Sequence, residues 1–155
     1  SGSMLPSIIH SAVMAGIFAK LPMLTTYLVI FDTAVVDLTG RMDDPVETLM
    51  SVHLGGGTDI AKAMGYCKAL ITAPRRTIVV LVSDLCEGGS RQSLYRTCHD
   101  IVESGARLIA LTALNEHSVP DYDRATAQTL ADLGAHVGAM TPERLADFMA
   151  GIMQK

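Results

Sequence analysis

The sequence predicts an α/β fold in which helices cover both faces of a mostly parallel sheet. Apolar runs of strand length alternate along the chain with amphipathic stretches of helix length. The run 76–84, RTIVVLVSD, is almost entirely Val, Ile and Leu, as expected of a parallel strand that is buried on both faces. Since 49% of the 155 residues are hydrophobic and 18% are charged, we expect a single domain over 1–155 with a sizeable core.

The predicted helices begin at capping residues and end near Pro or Gly. The first ends before Pro22, and the second has Asp43 or Asp44 as its N-cap. Gly105 and Gly134 close two later helices. In chain order, helices are predicted over 7–21, 43–52, 58–71, 90–105, 121–134 and 141–155.

The predicted strands include one antiparallel pair. The runs 25–33 and 34–39 are adjacent, with the turn near Asp32 and Thr33, so the second must run antiparallel to the first. Three further strands, at 76–84, 106–114 and 135–140, each follow a helix and are expected to be parallel.

Three loops are expected to meet at the carboxyl edge of this sheet, because each helix returns the chain to the opposite end. They are Ser1 to Ser3, Gly55 to Asp59, and Ser83 to Glu87. Open parallel sheets bind their ligands at this edge. Hydroxyls of two serines and a threonine, with one carboxylate, form an all-oxygen set suited to a hard cation such as Mg²⁺.

The motifs SGSM, LVIFDTAVVDLT and LGGGTDI together resemble a von Willebrand factor type A (VWA) domain, specifically its bacterial CoxE-like group. The resemblance covers essentially the whole chain. It implies a three-layer Rossmann-like fold with strand order 3-2-1-4-5-6 and a metal-ion-dependent adhesion site (MIDAS). Ser1 and Ser3 match the two serines of the family's Asp-x-Ser-x-Ser loop, Thr58 matches its threonine, and Asp84 matches its third-loop aspartate. Gly57 and Asp59 are secondary candidates.

The family's first strand and its aspartate would lie just before Ser1, and this sequence contains neither. We therefore expect an N-terminally truncated VWA-like domain, unless another chain fills the gap or the opening SGS is a tag. Loss of a central strand would split the sheet and expose two apolar edges, which favours a strand swap or a homo-oligomer. We expect Mg²⁺, or Mn²⁺ or Ca²⁺, to be absent from such a chain unless Asp59 replaces the lost ligand.

The resemblance implies a metal-dependent protein-interaction module rather than an enzyme. An acidic residue of a partner would complete the metal shell, and the implied partner is a MoxR-type AAA+ ATPase in bacterial metalloenzyme maturation or complex remodelling. The formal net charge of −4 and the scattered basic residues argue against a nucleic-acid partner. No apolar run reaches the roughly 18 residues that a membrane span requires. The odd count of three cysteines favours a cytoplasmic location.

The alternative is a Rossmann-like enzyme that binds a nucleotide or phosphate at the loop Gly55 to Thr58. This loop lacks the Lys of a P-loop and the spacing of a dinucleotide fingerprint. Cys86 is in the third predicted loop, but no His is near it in sequence, so we expect a partly buried side chain rather than a nucleophile. No nucleophile, base and orienting group can be assembled into a catalytic set.

Overall fold

The computed structural model describes residues 5–41, 44, 47, 57–112, 122–139, 147, 150 and 151. Their helices and strands are, in chain order, α1 (Leu5–Ala19), β1 (Val29–Phe31), β2 (Val35–Asp37), α2 (Ile60–Leu70), β3 (Ile78–Val82), α3 (Arg91–Glu103), β4 (Arg107–Thr112), α4 (Arg124–Asp132) and β5 (His136–Ala139). None of the helices formed by these residues combines the length and the apolar character that crossing a bilayer requires.

The predicted helices over 43–52 and 141–155 lie almost entirely outside the described residues. One contact bears on the first of them. The backbone N–H of Glu47 donates to Asp44 Oδ1 at 3.1 Å, the bond that an N-cap side chain accepts from the third helical residue. Asp44, rather than Asp43, therefore occupies the capping position.

The hairpin of β1 and β2 is antiparallel, as predicted. Ile30 pairs with Val36 and Phe31 pairs with Val35. Asp32 serves the turn between the strands, since its Oδ1 accepts a 2.7 Å hydrogen bond from the Ala34 N–H. The turn therefore lies at the carboxyl end of β1.

The remaining strands form a parallel sheet in the order β3-β4-β5. The middle strand, β4, is buried on both faces, and its side chains alternate between two clusters. Leu108 and Ala110 pack in the main core with α2, α3 and α4. Ile109 and Leu111 pack on the opposite face, where Met14 of α1 contacts them. This arrangement is the predicted sheet covered by helices on both faces.

Helix α1 also covers the hairpin. Its Ala12 is fully buried in a cluster with three hairpin residues, Leu28, Ile30 and Leu38. On the other face of the hairpin, Phe31 packs against the main core that contains Ile60 and Met64 of α2. The same two helices therefore cover the hairpin and the parallel sheet.

The hairpin and the parallel sheet are nevertheless separate sheets, because no strand of the described residues pairs with both. The observed orders are β1-β2 and β3-β4-β5. The full order 3-2-1-4-5-6 stays a prediction, since it requires a strand that joins the two sheets.

Candidate functional site

The loop after β3 begins the site at the carboxyl edge of the parallel sheet. Ser83 extends the strand by donating its N–H to the Leu111 carbonyl at 3.1 Å. Its hydroxyl accepts a 3.0 Å bond from the Leu85 N–H, and Leu85 has a φ of 62° and is fully buried. This left-handed turn anchors the loop in the core and leaves Asp84 at the edge.

Asp84 is half-buried and is held at both its side chain and its backbone. Its Oδ1 accepts a 3.1 Å bond from the Cys86 N–H. Its carbonyl accepts a 2.9 Å bond from the N–H of Asp123, the N-cap of α4. Among the described residues, none donates to Asp84 Oδ2.

Asp123 keeps its charge in this arrangement. The N–H of Thr126 donates to its carboxylate and lowers the pKa of Asp123 below the usual value, although burial acts in the opposite direction. Arg91 Nη2, at 3.0 Å, adds to the effect. The start of α4 is thereby tied both to the start of α3 and to the Asp84 loop.

Thr58 lies in the loop before α2, against the β1–β2 turn. The Asp59 N–H donates to the Asp32 carbonyl at 2.8 Å. Gly57 has a φ of 80°, and a Cβ on it would lie 2.8 Å from Cγ2 of Thr33. Thr58 itself is half-buried, and its hydroxyl has no hydrogen-bond partner in the described part of the chain.

The Thr58 and Asp84 loops are hydrogen-bonded to each other. The Gly88 N–H donates to the Thr58 carbonyl at 2.9 Å. The Glu87 carboxylate accepts from the first two N–H groups of α2, with Oε1 at 3.0 Å from Ile60 N and Oε2 at 2.8 Å from Ala61 N. Two of the four predicted ligands therefore belong to one bonded unit at the carboxyl edge.

Ser1 and Ser3, the other two predicted ligands, lie outside the described residues, as do Gly55 and Gly56. Asp59 acts as the N-cap of α2, with Oδ1 accepting a 2.9 Å bond from the Lys62 N–H. One oxygen of its carboxylate is therefore engaged by the helix. In the described ranges, no three His, Cys, Asp or Glu side chains come together as a metal cluster.

The expectation that Cys86 would be partly buried is wrong, because its side chain is exposed. The physical reason is the turn at Leu85, which places Leu85 in the core and directs the next residue outward. The Cys86 Sγ lies 3.7 Å from the Asp84 carbonyl oxygen.

Sequence reasoning missed Glu87. The only signal for it is indirect: the first turn of α2 contains no acidic residue of its own, so its leading N–H groups need an acceptor from elsewhere. The sequence does not say which carboxylate supplies it.

Comparison with known proteins agrees with this architecture. The model of the family described as "VWA domain containing CoxE-like protein" matches residues 1–149. The uncharacterized protein YehP of Escherichia coli (strain K12) is 50% identical over 154 residues. That match takes in 99% of this chain but 41% of YehP, so the chain spans about two fifths of its relative.

Two solved structures share the fold. BatB, a conserved hypothetical protein from Bacteroides thetaiotaomicron, superimposes with a TM-score of 0.64 at 11% identity, covering 97% of this chain and 87% of BatB. An aerotolerance-related membrane protein from Bacteroides fragilis NCTC 9343, with multiple mutations to serines, gives a TM-score of 0.61 at 12% identity over 86% of this chain and 80% of that protein. These two structures show the fold alone, and the family model over residues 1–149 shows that the chain belongs to the family of VWA domain-containing CoxE-like proteins.

Proposed function

We propose that this chain is a metal-dependent protein-interaction module. Thr58 and Asp84, together with Ser1 and Ser3, would hold a divalent cation, and an acidic side chain of a partner would complete its shell. The observation that carries the proposal is the hydrogen-bonded union of the Thr58 and Asp84 loops. It leaves the Thr58 hydroxyl and Asp84 Oδ2 without partners among the described residues.

The chemistry of these groups fits Mg²⁺, or Mn²⁺ or Ca²⁺ in its place. The side chains of Ser1, Ser3, Thr58 and Asp84 all offer oxygen atoms, which hard cations prefer as ligands. Because the hydroxyls are neutral, the four proposed ligands contribute a single negative charge, that of Asp84. A bound divalent cation would therefore keep a net positive charge and attract a carboxylate from another molecule. Asp59 is the further candidate, through the oxygen that the Lys62 N–H does not engage.

The partner we propose is a MoxR-type AAA+ ATPase, with the chain acting as its adaptor in bacterial metalloenzyme maturation or complex remodelling. This part of the proposal rests on membership of the CoxE-like family. We propose a cytoplasmic location and a single domain over 1–155 on the same ground.

The start of α2 argues against nucleotide or phosphate binding at the loop Gly55 to Thr58. A phosphate would take the free N–H groups at a helix N-terminus. Those of Ile60 and Ala61 already donate to Glu87, and that of Lys62 donates to Asp59. An anion would have to displace two carboxylates, so a binding role accounts for this site better than an enzymatic one does.

Calorimetric titration of the full-length protein tests the proposal. We expect the MoxR-type ATPase encoded in the same genome, or a Glu-rich peptide as the simpler probe, to bind in Mg²⁺ and not in EDTA. Nucleotide should give no saturable heat. Binding that is equal in Mg²⁺ and in EDTA would overturn the metal dependence, and saturable nucleotide binding would favour the alternative.

A further inference from the structure

We propose that Glu87 is a positioning residue that fixes Thr58 relative to Asp84 before any cation binds. This inference rests on the metal-dependent function proposed above and adds to it a residue that does not itself touch the metal. Glu87 follows Asp84 by three positions, and its side chain bonds to the helix start that immediately follows Thr58.

The carboxylate of Glu87 takes the place of a local cap on α2. The first N–H groups of a helix have no acceptor within the helix. Asp59 accepts from Lys62, and the first turn contains no other acidic residue. Glu87 supplies the two missing acceptors, one oxygen to Ile60 and one to Ala61. Because the acceptor is ionised and lies at the positive end of the helix dipole, these bonds are stronger than neutral ones.

Gly88 lets the loop approach closely enough for this contact, whereas position 89 has room for a Cβ at ordinary van der Waals distance. A Cβ at Gly88 would lie 2.7 Å from the Thr58 carbonyl oxygen, and one at Gly89 would lie 3.5 Å from Asp59 Oδ1. The Gly89 N–H also donates to Glu87 Oε1 at 3.1 Å, which orients the carboxylate from its own loop. The Glu87 side chain and the Gly88 backbone thus join the same two loops by independent bonds.

These bonds between the two loops matter because the proposed metal ligands bind a cation too weakly to order the loops themselves. The free energy of binding a cation through neutral hydroxyls and one carboxylate offsets little of the entropic cost of ordering two loops. Residues that orient metal ligands from outside the coordination shell typically contribute a factor of roughly 10 to 100 to metal affinity. Glu87 is placed to make that contribution.

The test uses the full-length protein and four variants. Glu87→Ala removes both acceptors, and Glu87→Gln keeps one oxygen acceptor, so it should partly restore the wild-type behaviour. Glu103→Gln is the matched control for charge, since Glu103 is exposed at the end of α3. Ile101→Val trims a buried α3 side chain and controls for loss of stability alone. Each is measured by Mg²⁺ titration and by hydrogen exchange of backbone amides.

We expect Glu87→Ala to weaken Mg²⁺ binding by roughly 10- to 100-fold and to accelerate exchange at Ile60 and Ala61. Glu87→Gln should be intermediate on both measures. Glu103→Gln should match the wild type, and Ile101→Val should lower the Tm without changing Mg²⁺ affinity.

Wild-type exchange at Ile60 and Ala61 in Glu87→Ala would overturn the proposal, whatever the metal does. Faster exchange with unchanged Mg²⁺ affinity would overturn the positioning role. If Ile101→Val lost as much Mg²⁺ affinity as Glu87→Ala, the effect of Glu87→Ala would be explained by lower stability of the fold, and the positioning role would be overturned. A wild-type protein that binds no Mg²⁺ would overturn the proposed function and the metal part of this inference together, and the exchange data would then still decide whether Glu87 joins the loops.

Discussion

Gly57 shows how tightly single residues constrain the site. Its φ of 80° lies in the left-handed region, and the space that a Cβ would need is filled by Thr33 at 2.8 Å. Both the backbone conformation and the packing therefore require glycine at this position. The absence of a side chain at Gly57 lets the loop that carries Thr58 lie this close to the β1–β2 turn.

For this reason we expect Gly57→Ala to destabilise the fold by about 1–3 kcal/mol and to weaken Mg²⁺ binding. Gly65→Ala is the control, because nothing lies within 4 Å of a Cβ at Gly65, inside α2. It should stabilise the protein by about 0.5–1 kcal/mol through helix propensity. Thermal denaturation and Mg²⁺ titration measure both effects, and a Gly57→Ala variant as stable as the wild type would contradict the account.

Thr58→Ala should separate ligand binding from folding. The Thr58 hydroxyl has no bond to a described residue, so the change removes a proposed metal ligand and no structural contact that the described residues show. We expect an unchanged Tm and weaker Mg²⁺-dependent partner binding. Thr25→Ala, at an exposed position before β1, is the matched control. Equal metal-dependent affinity in the two variants would remove Thr58 from the ligand set.

The cysteines should differ sharply in reactivity. Burial raises the pKa of the Cys98 thiol to about 12, and it also raises that of Cys67. Cys86 is exposed. Since the thiolate is the reactive form, a thiol reagent at pH 8 should modify Cys86 first and leave Cys98 unmodified in the folded protein. Mass spectrometry of the wild type and of Cys86→Ser checks this, and fast labelling of Cys98 would contradict it.

At the scale of single residues, the sequence predicts the location of those residues whose position follows from the direction of the chain. Asp84 ends an apolar run and Thr58 follows three glycines before a helix, so both could be placed at the carboxyl edge. Glu87 could not, because its role depends on which helix start lies opposite its loop. The exposure of Cys86 was also beyond reach, since it depends on a positive φ at Leu85 that no residue type signals.

At the scale of elements, the start of α4 is the junction that holds the Asp84 loop from outside. Asp123 caps the helix through the Thr126 N–H at 3.1 Å, and its own N–H supports the Asp84 carbonyl. Its carboxylate also meets Arg91 in the first turn of α3. One side chain therefore links two helices and the site.

We expect Asp123→Ala to lower the free energy of unfolding by about 1 kcal/mol at neutral pH, the usual value of a lost N-cap. The folded state lowers the pKa of Asp123, so its contribution is present above the unfolded pKa of about 3.9 and is lost as pH falls through the folded value. The difference between wild type and variant should therefore shrink in acid. Asp132→Ala, at the exposed end of α4, is the control, and a difference that persists at pH 2 would contradict the assignment.

The predicted elements that fall within the described residues were located correctly, but strand lengths were not. The run 25–33 was expected to be a strand throughout, whereas β1 covers only Val29–Phe31. A strand extends only as far as a partner offers hydrogen bonds, and β2 offers three residues. Leu28 still bonds to the opposite side of the hairpin, since its carbonyl accepts a 2.8 Å bond from the Leu38 N–H and its own N–H donates to Thr39 Oγ1 at 3.1 Å. The strand pattern of 25–27 is therefore not matched by pairing within the described residues.

At the scale of the whole molecule, the described residues form two sheets that share covering helices. Neither β1 nor β3 pairs along its second edge with a described strand. The apolar residues of β3 are only half-buried at four of its five positions, Ile78, Val79, Val80 and Val82. Unpaired apolar strand edges of this kind favour association with another strand.

We therefore expect residues 1–155 alone to self-associate. Light scattering of this fragment should give a mass above that of one chain, in a concentration-dependent way. Within the protein, amides of β4, which is paired on both sides, should exchange more slowly than those of β1. A stable monomer with uniform exchange across both sheets would contradict this expectation.

The bonded segments at the carboxyl edge also determine how a cation and an acidic partner would affect each other's binding there. They bring the carboxylates of Asp59, Asp84, Glu87 and Asp123 onto adjoining loops and helix starts, and Arg91 offsets one of them. In the proposed module, an acidic partner meeting this edge without a cation would be repelled, and a bound divalent cation would reduce that repulsion. By reciprocity, the docked partner would raise the affinity for the cation by the same factor by which the cation raises the affinity for the partner. In the proposed module, the cation and the partner would each strengthen binding of the other, so the edge would form a stable complex only when the cation and the partner are both present.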